Sequence, residues 1–236
     1  MTISRSNISD YYDSYSATQI NTGVNIRHRT IFYQLKKAGL RKQHKVLEIG
    51  CGIGTLTSLI GKYLSQGSLL ALDISPESIE IARKRLGKFP RVSFLVSDMS
   101  DFSVGTKFDF VVLPDVLEHI PLAQHPLVFE KIAACTHDDS IVFINIPSPH
   151  YQDYITAHQP ELQQIIDQSL YTDIFAGPIC RNGFYIHSLQ TYGLGVEEGD
   201  YQRLVLKKNK KLTKLNYFPK SRLRLMEIVS RLRLLI

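Results

Sequence analysis

Residues 46–57, Val-Leu-Glu-Ile-Gly-Cys-Gly-Ile-Gly-Thr-Leu-Thr, join a short apolar strand to a helix through a turn in which every second residue is glycine. Val46, Leu47 and Ile49 read as the strand, and Leu56, Leu59 and Ile60 recur at helical spacing beyond the turn. Gly50, Gly52 and Gly54 lack the Cβ atoms that would keep a ligand away from the backbone. The helix N-terminus beyond them offers free N–H groups to a polar group.

The spacing separates two kinds of cofactor. A dinucleotide loop of the form G-x-G-x-x-G would need its third glycine at 55 or 57, and both positions are threonine. The chain reads E-x-G-x-G-x-G instead, with Glu48 two residues before the first glycine. A carboxylate there suits a ligand carrying positive charge and would repel a pyrophosphate. In this respect the sequence resembles the class I S-adenosylmethionine-dependent methyltransferases, whose first motif has this form. The resemblance implies that the backbone of Gly50, Gly52 and Gly54 lies against S-adenosyl-L-methionine, with Cys51 in the same turn, and that Glu48 sits near its methionine end.

The following segments keep the order this resemblance requires. Ser68-Leu-Leu-Ala-Leu-Asp73 is a second apolar run ending in a carboxylate, about 20 residues on, where α/β nucleotide folds place the group that binds ribose hydroxyls. Ile74 follows as a further cofactor contact, and Ser75-Pro76-Glu77 reads as a helix start. Val92 to Met99 is the third strand. In the family the aspartate at its end bonds the adenine amino group and the next side chain lies on the ring, roles that fall on Asp98 and Met99. Taken singly, Asp73 or Asp98 reads more readily as a strand-end turn residue or helix cap; their joint order is what favours a cofactor role. The motifs cover about residues 44–147, and 180–208 resemble the family by pattern alone.

Phe108 to Pro114 reads as a fourth strand, Leu127 to Cys135 as a helix, and Ser140 to Ile146 as a fifth strand stopped by Pro147 and Pro149. Alternating strands and helices imply a parallel sheet. Two further candidate strands, about 184–192 and 201–207, are joined by Gly193, Gly195 and Gly199 without a helix, which reads as a hairpin at the sheet edge. The expected fold is therefore α/β: three layers, doubly wound, a mostly parallel seven-stranded sheet with a terminal antiparallel hairpin, the Rossmann-like methyltransferase fold. Residues 1–43 are expected to form a helical lid, 44–208 the cofactor-binding domain with a substrate insertion at about 147–177, and 209–236 a basic tail. A chain of 236 residues with 44% apolar content can fill one such core. No run approaches the ~18 apolar residues a bilayer span needs, and Cys51, Cys135 and Cys180 fit no zinc or paired disulfide pattern, so the cytoplasm is the expected compartment.

The chemistry is expected at the end of the fourth strand, where open α/β sheets bind ligands. That end reads Leu113-Pro114-Asp115-Val116-Leu117-Glu118-His119, with Pro114 a further candidate cofactor contact. The Asn/Asp-Pro-Pro-Tyr/Phe motif of methyltransferases acting on adenine or glutamine amino groups is absent. The segment resembles the E-x-x-E-H run of ubiquinone-pathway O-methyltransferases, with Asp115, Glu118 and His119 at its three marked positions. An unperturbed histidine, of pKa ~6.5, can accept a hydroxyl proton at neutral pH, which makes His119 the candidate general base. The competing reading is a helix-start residue that bonds backbone or shapes the pocket. No metal is expected, although Asp115, Glu118 and His119 are the residues that would hold one if their side chains converged.

Substrate selection is expected from the lid and the insertion. Tyr11, Tyr15, Arg27 and His28 are candidate pocket residues, with Arg27 or Arg29 available to a carboxylate and Tyr11 and Arg27 near the cofactor. His150, Tyr151, Tyr154 and His158 precede a helix-like stretch from Glu161 to Leu170; they could wall a ring or a sugar, and His150 is the second candidate base.

The charge is unevenly placed. Residues 207–236 hold ten Lys and Arg against one Glu, +9 of a chain whose total is +6, so the remainder sums to −3. This argues against a nucleic-acid groove across the body. Ser221 to Ile236 puts Leu225, Ile228, Val229, Leu232, Leu235 and Ile236 on one helical face, suited to a membrane surface or a dimer contact, with a helix packed on its own domain or a solvated end as the plainer readings. The combined expectation is methyl transfer to a hydroxyl of a small-molecule acceptor. N- or C-methylation stays open because an amine needs no strong base. So does a non-catalytic partner protein that keeps the fold and the cofactor.

Overall fold

The structure is a computed structural model that describes residues 5–19, 23–100, 102–211 and 213–233, with side chains over 7–14, 23–100, 102–211 and 213–231. Two helices, α1 (Arg5–Gln19) and α2 (Ile26–Ala38), precede the first strand. Then follow β1 (Lys45–Ile49), α3 (Thr55–Tyr63), β2 (Ser68–Asp73), α4 (Pro76–Leu86), β3 (Val92–Val96), β4 (Phe108–Pro114) and α5 (His125–Ala134). The chain continues through β5 (Thr136–Pro147), α6 (Pro149–His158), α7 (Thr172–Arg181), β6 (Phe184–Tyr192), β7 (Tyr201–Lys208) and α8 (Lys220–Arg233).

The strands form one sheet in the order β3-β2-β1-β4-β5-β7-β6. The first five run parallel, and β7 pairs antiparallel with both β5 and β6. Side chains alternate between two cores. Leu47, Val111, Leu113 and Ile144 face α5 and α7, whereas Val46, Phe110, Val112 and Phe143 face α2 and α3. A sheet covered on both faces needs such continuous apolar strands, each large side chain stabilising the fold by about 1.5–3 kcal/mol when fully buried. The chain leaves β1 toward β2 and β3, then returns to β4 on the other side of β1. That reversal opens a cleft outside the carboxyl ends of β1 and β4.

Local sequence sets the helix starts around this cleft. Asn25 caps α2 reciprocally with His28, and Ser75 caps α4 with Pro76 at its first position. Helix α1 is tied to the same place, because the Asp13 carboxylate accepts from the Ser75 hydroxyl and from the Glu77 N–H at 3.2 Å.

Several expected boundaries move. The third strand stops at Val96, before Asp98 and Met99, while α5 begins at His125 and β5 at Thr136. The expected helix from Glu161 to Leu170 does not form beyond a single 3-10 turn at Pro160–Leu162. The backbone of this segment is bonded elsewhere. The Gln168 N–H and side-chain amide donate to the Glu118 carbonyl at 3.2 and 3.0 Å, and the Ile166 carbonyl lies 2.7 Å from the His119 ring. The regular helices lie on either side of it, as α6 and α7.

Candidate functional site

A cavity of about 330 Å³ occupies the cleft. One wall is the glycine turn. Gly50 and Cys51 both donate backbone N–H to the Leu72 carbonyl at 2.8 Å, which pins the turn to the neighbouring strand. Gly50 has φ 75°, and a Cβ there would lie 2.1 Å from a methyl of Val116, so the position admits only glycine. Gly54, at φ 81°, starts α3 and packs against Ala82 and Leu86 rather than lining the cavity. Its role is to seat the helix.

Two carboxylates flank the turn. Asp73 accepts from the Gly52 N–H at 2.7 Å and the Ser75 N–H at 3.0 Å; burial raises its pKa and these donors oppose the rise. Glu48 is fully buried, and among the described residues no group stands in hydrogen-bond geometry to either of its oxygens, although the cavity reaches it. Burial pushes its pKa up to about 8, a rise that the neighbouring Thr57 hydroxyl opposes only in part. A buried carboxylate without partners is costly, and a cationic group entering the cavity would relieve that cost. Cys51 and Ile74 line the same wall, and burial raises the Cys51 thiol well above its ordinary value.

The floor continues through Asp98 and Met99. Asp98 accepts from the Ser100 N–H and hydroxyl at 2.9 and 2.7 Å, and Met99 is buried with φ 71°. Asp115, just after Pro114, has φ 54°. These two left-handed non-glycine residues both face the cavity, where such strain commonly collects.

The opposite wall is assembled from distant segments. His119 Nδ1 lies 2.9 Å from Asp167 and 2.7 Å from the Ile166 carbonyl, while its Nε2 lies 3.8 Å from Glu118. Burial alone would lower the imidazole pKa, but the Glu118 and Asp167 carboxylates outweigh it and raise it to about 9. Glu118 is itself buried and raised to about 8, chiefly by desolvation, with the His119 charge opposing. The buried pair thus holds its protons more tightly than either group does in water, so His119 in the free protein is not the unperturbed base expected. Tyr12 stacks edge-on to His119 with centroids 6.2 Å apart.

Asp115 does not join Glu118 and His119 around a common point. Its oxygens meet Arg27 at 2.7 Å and the Asn145 side-chain amide at 2.6 Å, and Asn145 accepts from the Tyr192 hydroxyl at 2.6 Å. Tyr201 also bonds Arg27. Arg27 lines the cavity while holding α2 to the strand ends. Among the described residues no three His, Cys, Asp or Glu side chains are grouped to hold a metal ion. His28 lines the cavity too; burial, aided by Arg27, lowers its pKa to about 4, so it stays neutral.

Several expected residues lie elsewhere. Tyr12, not Tyr11, faces the cavity, because α1 puts Ile8 and Tyr12 on its inner side. Arg29 is exposed, and the Tyr15 side chain falls outside the described residues. His150 is exposed against Tyr171, and Tyr154 and His158 stack on each other at 4.4 Å on the outer face of α6. None of these, nor Tyr151, lines the cavity, so His150 is not placed to act as a base there. The insertion contributes Gln164 to the lining and Asp167 behind His119. Helical phase could have singled out Tyr12; no local pattern marks Asp167.

Residues 46–139 match the family described as a methyltransferase domain. Malonyl-[acyl-carrier protein] O-methyltransferase 1 of Ilyobacter polytropus is 31% identical over 100 residues, covering 42% of this chain and 35% of that protein. The chain spans between about a third and a half of the curated relatives it first matches. Magnesium protoporphyrin IX methyltransferase from Synechocystis PCC 6803 with bound SAH superposes with a TM-score of 0.66 at 17% identity, covering 86% of this chain and 99% of that one. The N-methyltransferase NodS from Bradyrhizobium japonicum WM9, in complex with S-adenosyl-L-homocysteine, gives 0.65 at 16% identity, with 86% and 100% covered. At these identities the two structures establish the shared fold.

Proposed function

We propose that this chain, which carries a class I S-adenosylmethionine-dependent methyltransferase domain, binds S-adenosylmethionine in the cleft and transfers its methyl group to an oxygen of a small-molecule acceptor. The observation that carries this reading is one cavity with an unpartnered, buried Glu48 at the glycine turn and a His119–Asp167 pair on the facing wall. The residues fit the cofactor. Glu48 would take a cationic amino group, Asp73 the ribose hydroxyls, Asp98 the adenine amino group and Met99 its ring. When bound, S-adenosylmethionine supplies a methyl group on a positively charged sulfur that leaves readily in an in-line displacement.

The remaining work belongs to the protein. The cavity walls hold the acceptor in line and exclude water, which supplies much of the acceleration in a displacement of this kind. Asp167 and the Ile166 carbonyl fix the His119 ring through Nδ1, and Nε2 is left to take the acceptor proton. His119 gives up its own proton more readily once a cation shares the cavity, because like charge lowers an imidazole pKa. Positioning by α1 and α2 closes the site from above, with Tyr12 and Arg27 as the contacts nearest the acceptor side.

The raised His119 pKa favours a second reading, in which the acceptor is a carboxylate, held by the imidazolium and needing no base. The pH profile separates the two. A hydroxyl acceptor gives a rate that rises with pH through the His119 pKa, which is about 9 in the free protein and lower with the cofactor bound; a carboxylate acceptor gives a rate that falls through the same transition. The first test is calorimetric titration with S-adenosylmethionine and S-adenosylhomocysteine. Micromolar binding supports the assignment and opens a screen of hydroxylated and carboxylated acceptors, whereas no binding of either overturns it in favour of a non-catalytic role.

A further inference from the structure

The terminal helix α8 is the part of the molecule that the cleft leaves unexplained. Every described side chain from 213 to 231 is exposed, including Leu225 at 61%, Ile228 at 56% and Val229 at 40%. Helical phase puts these three on one stripe, with Arg222 and Arg224 at its two margins and Lys220 and Arg231 behind. Tyr217 and Phe218 stand exposed at the helix entrance, and Arg222 stacks on Phe218 at 4.0 Å. Among the described residues this apolar stripe has no partner.

We propose that residues 213–231 dock on an anionic lipid surface, with α8 lying in the interface plane. The charge selects the occupant. Arg231 pairs with Glu227 and Lys210 with Asp139, but Lys214, Lys220, Arg222 and Arg224 meet no carboxylate among the described residues. A second copy of the chain would bring like charges together along the same stripe. A nucleic acid would satisfy the cations but would leave Leu225, Ile228 and Val229 in water. A phosphate-rich surface above an acyl boundary satisfies both sets, with the guanidinium groups at headgroup level and the apolar stripe below. No described helix is long and apolar enough to cross a membrane, so the contact is peripheral. Tyr217 and Phe218 fit the interfacial belt, where an aromatic body meets apolar tails.

The test uses the full chain with Phe218→Trp, since the sequence holds no tryptophan of its own. Vesicles of equimolar phosphatidylglycerol and phosphatidylcholine should shift its emission to the blue and co-sediment the protein; pure phosphatidylcholine should do neither. Leu225→Asp and Ile228→Asp should each weaken co-sedimentation by more than about tenfold, the loss expected on removing one buried apolar side chain. Arg224→Gln should weaken it about fivefold. Because the described side chains of α8 are all exposed, these variants should keep the parent melting temperature and the parent affinity for S-adenosylhomocysteine. Failure here is thereby distinguished from failure of the cofactor assignment. Binding that survives Ile228→Asp, equal binding to phosphatidylcholine, or a dimer in sedimentation that the same substitution dissolves would each overturn the proposal.

Discussion

The two walls of the cavity are built in opposite ways. The glycine-turn wall comes from three short strand-to-loop runs, Glu48–Gly54, Asp73–Ser75 and Ser97–Met99, in which each polar group lies within a few residues of the turn that aims it. The facing wall, proposed to hold the acceptor, takes Tyr12 from α1, Arg27 from α2, Asp115 and His119 from the β4 end, and Asp167 from an irregular segment 48 residues further on than His119. A wall made of local turns is specified by spacing; a wall made of distant segments exists only once the sheet and both lid helices have formed. The first should therefore tolerate changes in the second.

The largest expected effect breaks that independence if it fails. On the proposed role of His119 as base, His119→Ala should lower kcat by roughly 10²–10³-fold while leaving S-adenosylhomocysteine affinity unchanged. Loss of affinity on this substitution would merge the two walls into one unit. Next comes Asp73→Ala, which should weaken S-adenosylhomocysteine binding by roughly 10–100-fold in calorimetry, since it removes the carboxylate proposed to accept from ribose and takes an acceptor from the Gly52 N–H. Unchanged affinity would remove the cofactor assignment from that wall.

A smaller effect sharpens the role of Asp167. Asp167→Asn should keep His119 in place through the Ile166 carbonyl but withdraw a raising charge, so the His119 pKa should fall from about 9 toward neutrality. For a hydroxyl acceptor the rising limb of the pH–rate profile then moves to lower pH, and an unmoved limb would show that Asp167 does not act on His119. Arg27→Met should be milder, because the Arg27 side chain is 39% exposed and its pair with Asp115 is screened by solvent. It should raise the acceptor KM a few-fold with little change in kcat. Smallest of all, His150→Ala should leave both constants at parent values; a large loss of kcat would return the insertion to the chemistry.

The same division governs what could be read in advance. The strand ends at Ile49, Asp73 and Pro114, the proline-started helix α4, and the hairpin of β6 and β7 follow from periodicity and turn chemistry, and the structure keeps them. The helix expected over 161–170 fails because apolar spacing reports an available face, whereas the backbone there finds partners in Glu118 and His119. His150 and His158 have the residue types a site wants, but α6 turns them to the outside. The facing wall also shifts an ionisation. An imidazole at the end of a strand reads as an ordinary base; Glu118, buried beside it, and Asp167 at its Nδ1 make it hold its proton more tightly.

The sequence by itself determined the α/β alternation, the glycine turn with its acidic flank, and the basic terminal segment, because each depends on residues close along the chain. Tertiary structure alone decided that Asp167 stands behind His119, that Asp115 serves Arg27 and Asn145, and that Tyr12 rather than Tyr11 faces the cavity. Those contacts are set by how α1, α2 and the irregular segment 163–171 settle on a finished sheet, and burial there fixes both the partners and the charge of each group.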